Sequence, residues 1–324
     1  MSEYFDNQNN YTRGVEMKKI AFMFPGQGSQ YVGMGQDFYE EFEVSKKVFD
    51  TASDLLGMDM KELCFTENDR LNITEYTQCA MLTMIVAVLR VVEEKGVKAS
   101  VCGGLSLGEY GALVASKAMS FEDAVKVVRQ RGILMQEAVP TGLGAMSAVL
   151  GLDKEVIEET CSKVDGIVTI ANYNCPGQIV ISGEVKAVEV ASEALKEAGA
   201  KRVVPLNVSG PFHSLMLKEA GEKLLKVLDE ATIHTPEIPY VANTTADYVT
   251  SEEPIKDLLG KQVYSSVRWQ QSVEKMIADG VDTFIEIGPG RSLSGFMKKI
   301  DKSVKVINID KVADLEKLKE VVTC

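Results

Sequence analysis

Ala99-Ser-Val-Cys-Gly-Gly-Leu-Ser-Leu-Gly-Glu-Tyr-Gly-Ala-Leu-Val-Ala-Ser-Lys117 holds the transition that decides the fold. Residues 99–103 are a short apolar run that reads as a buried strand, and residues 107–117 read as the helix after it. Between them stands Gly104-Leu105-Ser106-Leu107-Gly108. A serine in a sharp strand-to-helix turn occupies a strained conformation, and glycines must flank it because side chains there would collide. Its hydroxyl then projects at a helix N-terminus, where backbone N–H groups and the helix dipole favour a developing negative charge. Ser106 is thus a candidate nucleophile, with an ordinary glycine turn as the plainer reading.

Working outward, residues 18–24 form an apolar strand that stops at Pro25-Gly26. Helical patterns follow over 36–56, 77–95 and 121–138, and strands followed by helices imply parallel βα units and an α/β fold. From Thr141 the texture changes to strand 146–151, helix 154–163, strands 167–172 and 178–182, helix 185–198 and strand 202–208. That βαββαβ order is the pattern of a ferredoxin-like small domain, inserted in the larger one. After Ser209 the pattern resumes with a helix over 216–230, a strand over 238–243, helices near 255 and over 269–278, and strand 283–287 before Gly288-Pro289-Gly290. The expected organisation is a flexible N-terminal extension (1–17), a larger catalytic domain (18–140 with 209–324) and a small domain (141–208).

Of 324 residues, 45% are hydrophobic and 25% charged, which suits a globular chain with a sizeable core. The formal charge of -12 argues against nucleic acid as partner. Only two histidines are present, His213 and His234, so no multi-histidine metal site is expected and an imidazole base has two candidates. Six cysteines without a C-x-x-C pair fit a reducing, cytoplasmic setting. The longest largely apolar run, residues 80–89, falls short of the roughly 20 residues a bilayer requires, so no membrane partner is expected.

Three segments could carry chemistry beside the serine turn. Phe24-Pro-Gly-Gln-Gly-Ser-Gln30 lies at the end of the first strand, where α/β ligands bind; a dinucleotide loop fails because Tyr31 stands at the third glycine position. Val208-Ser-Gly-Pro-Phe-His-Ser214 carries His213 at the seam between the domains, while His234, in Ala231-Thr-Ile-His-Thr-Pro236, has nothing suggestive near it. Arg131 lies 25 residues beyond Ser106 and suits a bidentate grip on a carboxylate; its neighbour Arg129 reads as a solvated helical arginine.

Taken in order, FPGQGSQ, GLSLGEY, the V-x-x-R-G helix, GPFH, Gln262 with Val267-Arg268-Trp269, and IGPG resemble the malonyl-CoA:acyl carrier protein transacylases of fatty acid synthesis. The resemblance spans about Lys19 to Lys299. It implies an α/β-hydrolase-like parallel-sheet domain with the ferredoxin-like insertion. It further implies Ser106 as nucleophile, His213 as base oriented by the Gln262 backbone carbonyl, and an oxyanion hole from the N–H groups of Gln27 and Leu107. Arg131 matches the arginine that binds the malonyl carboxylate, and Asn172 and Phe212 line the cleft. Lys201, Arg202 and Arg291 match basic positions expected to dock an acidic acyl carrier protein. Malonyl-CoA serves as thioester substrate in this reading, with no metal or other cofactor and a monomeric enzyme. One position departs: Leu105 stands where the family most often has histidine. Alternatives of other kinds are an acyltransferase serving polyketide synthesis, a serine acyl hydrolase of the same elbow type, and a non-catalytic carrier-docking module.

Overall fold

A computed structural model describes residues 19–140, 142–208 and 210–321. The chain begins with β1 (Ile20–Phe24), α1 (Gln36–Glu41), α2 (Glu43–Leu56), α3 (Met60–Phe65) and α4 (Thr74–Glu94). Then come β2 (Val101–Gly104), α5 (Gly108–Ala115) and α6 (Phe121–Glu137). A second unit runs β3 (Gly144–Leu150), α7 (Lys154–Ser162), β4 (Val168–Cys175), β5 (Gln178–Glu184), α8 (Val185–Glu197) and β6 (Arg202–Pro205). The chain returns through a short 3-10 turn, Leu215–Leu217, into α9 (Lys218–Asp229), β7 (Tyr240–Val241), β8 (Tyr248–Val249), α10 (Ile255–Gln262) and α11 (Trp269–Ala278). It closes with β9 (Thr283–Ile287), α12 (Ser292–Ile300), β10 (Lys305–Ile309) and the 3-10 stretch Val312–Glu320.

The first sheet has the order β10-β9-β1-β2-β7-β8. Its pairs are parallel except the last, β7 with β8. Every residue of β1, β2 and β9 is buried, as strands covered on both faces require. The chain passes from β1 to β2 on one side, and β9 joins β1 on the other. The loops after these three strands therefore open at one sheet edge, the switch point where α/β folds bind ligands.

Helix α4 is the centre of the larger core, packed against α2 and α6. Its 21 residues, with mean hydropathy 1.4 over 18 of them, are long and apolar enough to cross a membrane, but 83% of that window is buried inside the protein. The helix expected over 77–95 starts earlier, at Thr74, whose polar side chain is buried like the apolar residues after it. The single helix expected over 36–56 is two helices, broken at Phe42 in an extended conformation with its ring 6.0 Å from that of Phe38. Strand 238–243 shrinks to Tyr240–Val241, since Asn243 leaves the ladder to hold the serine turn.

In the second sheet the order is β4-β5-β3-β6, all antiparallel. Ile157 of α7 and Leu195 of α8 pack on Val149 and Ile181 in its own core. β4 is also stitched to the first unit: Val267 donates to the Ala171 carbonyl at 2.8 Å and accepts from the Tyr173 N–H at 2.9 Å. A register shift between Ile170 and Asn172 frees Ala171 from β5 to make that contact. Segment 1–17, expected to be a flexible extension, and the seam residues Thr141 and Ser209 lie outside the described residues.

Candidate active site

Ser106 sits between β2 and α5 with φ 53°, in the left-handed region that a serine occupies only under constraint. The flanking glycines are sterically obligatory. A Cβ on Gly104 would lie 2.0 Å from the Gly108 carbonyl, and one on Gly108 would lie 2.0 Å from the Phe24 carbonyl oxygen of β1. From beneath, Asn243 Oδ1 accepts the Ser106 N–H at 2.6 Å while its Nδ2 donates to the Gly104 carbonyl at 2.6 Å.

His213 is also strained, at φ 59°, and only 4% exposed. Its Nε2 lies 2.8 Å from Ser106 Oγ, and its Nδ1 lies 2.8 Å from the Gln262 backbone oxygen at the end of α10. A carbonyl can only accept, so Nδ1 carries the proton and bare Nε2 faces the hydroxyl, which donates to it. Burial, helped by the nearby Arg131 charge, pushes the imidazole down to about 4. The ring is therefore neutral at pH 7 and free to take a proton.

Arg131, on α6, is 1% exposed and reaches the same point. Nη1 donates to Gln78 Oε1 at 2.7 Å, and Nη2 donates to Gln262 Oε1 at 2.8 Å and to Ser106 Oγ at 3.2 Å. Among the described residues its Nε has no hydrogen-bond partner. In the loop after β1, Gln30 Oε1 accepts the Gly28 N–H at 2.8 Å and Gln27 Nε2 donates to Thr74 Oγ1 at 3.1 Å. Among the described residues no protein acceptor takes the N–H of Gln27 or of Leu107. These groups border a cavity of about 810 Å³ whose lining also includes Leu105, Asn172 and Phe212.

A family model described as the acyl transferase domain matches residues 21–316. The malonyl CoA-acyl carrier protein transacylase of Bacillus subtilis is 49% identical over 304 residues, 93% of this chain and 96% of that protein. The chain belongs to this transacylase family. Among solved structures, the transacylase from Clostridium perfringens superposes with a TM-score of 0.91 at 48% identity, covering 93% of this chain and 96% of that one. A holo complex of a type II PKS acyl-carrier protein with its malonyl-transacylase gives a TM-score of 0.91 at 43% identity, covering 94% of this chain and 99% of that one.

Ser106, His213, Arg131, Gln27 and Leu107 thus converge on one cavity, with Asn172 and Phe212 on its wall, while Gln262 is fully buried and reaches it only through its bonds to Arg131 and His213. The basic residues divide. Lys201 and Arg202 are exposed at the start of β6, opposite Leu150, whose other neighbour Gln178 accepts from Lys299 at 3.0 Å. Arg291 instead borders a separate hollow of about 260 Å³ with Lys298 and Lys305. Arg129 is not the solvated arginine expected: it pairs with Glu75 at 2.8 Å and lies over the Tyr76 ring. Sequence reasoning missed Gln78, Asn243 and Glu109, all buried around the serine turn. A glutamate on the otherwise apolar elbow helix was a visible signal, because such a charge needs partners when buried.

Proposed function

We propose that the protein transfers a malonyl group from malonyl-CoA to the phosphopantetheine thiol of acyl carrier protein, through a malonyl ester on Ser106. One observation carries this reading: Ser106 Oγ faces the bare nitrogen of a neutral imidazole at 2.8 Å and a buried guanidinium at 3.2 Å. His213 takes the serine proton as Oγ attacks the thioester carbonyl. The N–H groups of Gln27 and Leu107 hold the oxyanion, and CoA leaves as a thiol after protonation from His213. The carrier thiol then attacks the ester with His213 again as base, restoring the serine. Arg131 pairs with the malonyl carboxylate. An acetyl group would leave that buried cation without its anion, so acetyl-CoA is discriminated against.

The same reading assigns no metal or redox cofactor, since both half-reactions exchange only an acyl group and a proton. The sheet order β4-β5-β3-β6 supports a ferredoxin-like small domain over 141–208, and the parallel sheet with its serine elbow supports an α/β-hydrolase-like domain from 18–140 with 209–324. Among the described residues, five buried, unpaired cysteines support a reducing, cytoplasmic setting. A monomer with Lys201, Arg202 and Arg291 guiding the carrier protein completes the reading. A polyketide carrier is the second reading, favoured by the likeness to the PKS carrier complex.

Steady-state kinetics test the proposal. Parallel double-reciprocal lines for malonyl-CoA and carrier protein are expected, with little malonate released when the carrier is omitted. Rapid malonate release would instead identify a hydrolase.

A further inference from the structure

Glu109, the second residue of α5, is 1% exposed and lies one turn beyond the nucleophile. Its Oε2 accepts from Gln262 Nε2 at 2.7 Å and from the Asn243 N–H at 3.2 Å. Gln262 Nε2 also reaches the Ser106 carbonyl at 3.0 Å, and its Oε1 accepts from Arg131 at 2.8 Å. Among the described residues Glu109 and Arg131 make no direct ion pair; the Gln262 amide stands between them, giving its NH2 to the anion and its oxygen to the cation. The reverse orientation would set an NH2 against the guanidinium and an oxygen against the carboxylate, and both contacts would be repulsive.

We propose that Glu109 is a positioning residue for substrate selection: its acceptor-only carboxylate fixes the orientation of the Gln262 amide, and the amide oxygen so placed holds Arg131 over Ser106. The proposal rests on the transferase reading, and it explains how a cation with no direct counter-ion is kept in one pose in a buried site. The groups facing Glu109 are Arg131 from α6, Tyr110 on α5 itself and Tyr240 from β7. Burial pushes the Glu109 carboxyl up to about 7. The protonated acid can donate as well as accept, so below that pH the polarity of the relay is no longer enforced.

The test compares Glu109→Gln with wild type, using malonyl-CoA and the slower acetyl-CoA as donors and following serine ester formation. Glu109→Gln should lower kcat/KM for malonyl-CoA by about 10- to 100-fold, the range for lost hydrogen bonds to charged groups, while acetyl transfer changes far less. An equal loss with both donors would mark a merely structural role and overturn the proposal, as would an unchanged ratio. Wild type supplies a second arm that needs no variant to fold: its malonyl-to-acetyl ratio should fall several-fold as pH drops from 8.5 to 5.5, and a flat ratio would overturn the proposal. A wild type that forms no malonyl ester at all would refute the transferase reading instead.

Discussion

The two histidines occupy loops of opposite character. His213 is buried, strained, and fixed at both ring nitrogens by Ser106 Oγ and the Gln262 carbonyl. His234 is exposed, and its loop is held through the backbone, the His234 N–H donating to the Ala118 carbonyl at 2.9 Å. On the proposed mechanism only His213 serves as base, because desolvation keeps its ring neutral and a carbonyl fixes its tautomer.

The largest effect should separate the pair. His213→Ala should slow malonyl transfer by about 10²- to 10⁴-fold, the usual worth of a positioned base. His234→Ala should leave the rate within about two-fold and stability within about 0.5 kcal/mol, as for other surface substitutions; equal losses in a coupled assay would erase the distinction. Next comes Arg131→Ala, which should cost malonyl-CoA about 10- to 100-fold in kcat/KM and improve acetyl-CoA relative to it. An unchanged donor preference would remove the carboxylate clamp.

The pH dependence sharpens the contrast further. The pKa of His213 is lowered to about 4, so the ring takes up its second proton only below that value. Followed with acetyl-CoA, kcat/KM should show no acid limb from His213 until pH approaches 4. A limb near the ordinary histidine value of about 6.5 would mean that the working base is solvated rather than buried. The smallest effect is expected at the exposed basic pair at the start of β6. Lys201→Glu with Arg202→Glu should slow the carrier half-reaction a few-fold and blunt its salt dependence, leaving ester formation unchanged.

Much of the fold was legible because it is written locally. Buried strands Ile20–Phe24 and Thr283–Ile287 and helix Phe121–Glu137 carry their pattern in their own residues. The elbow was legible because glycine at 104 and 108 is a steric necessity, a Cβ at either position lying 2.0 Å from backbone atoms. What the sequence hid is decided at a distance. β8 and β10 exist only by pairing with strands elsewhere, and the break at Phe42 answers to ring packing. The network under Ser106 joins Glu109, visible as the one charge on α5, to the amides of Gln78, Asn243 and Gln262 from three other segments, and no local pattern marks amides that meet only after folding. Leu105 is placed in the cavity wall, its Cδ2 2.9 Å from where a Cβ on Gly26 would stand.

Intact-protein mass spectrometry tests the central claim most directly, with malonyl-CoA added first and pantetheinylated acyl carrier protein second. Wild type should gain one malonyl group on Ser106 and lose it to the carrier on the second addition, while Ser106→Ala should gain nothing. A malonyl adduct that persists in Ser106→Ala, or one that the carrier protein cannot remove, would contradict the account.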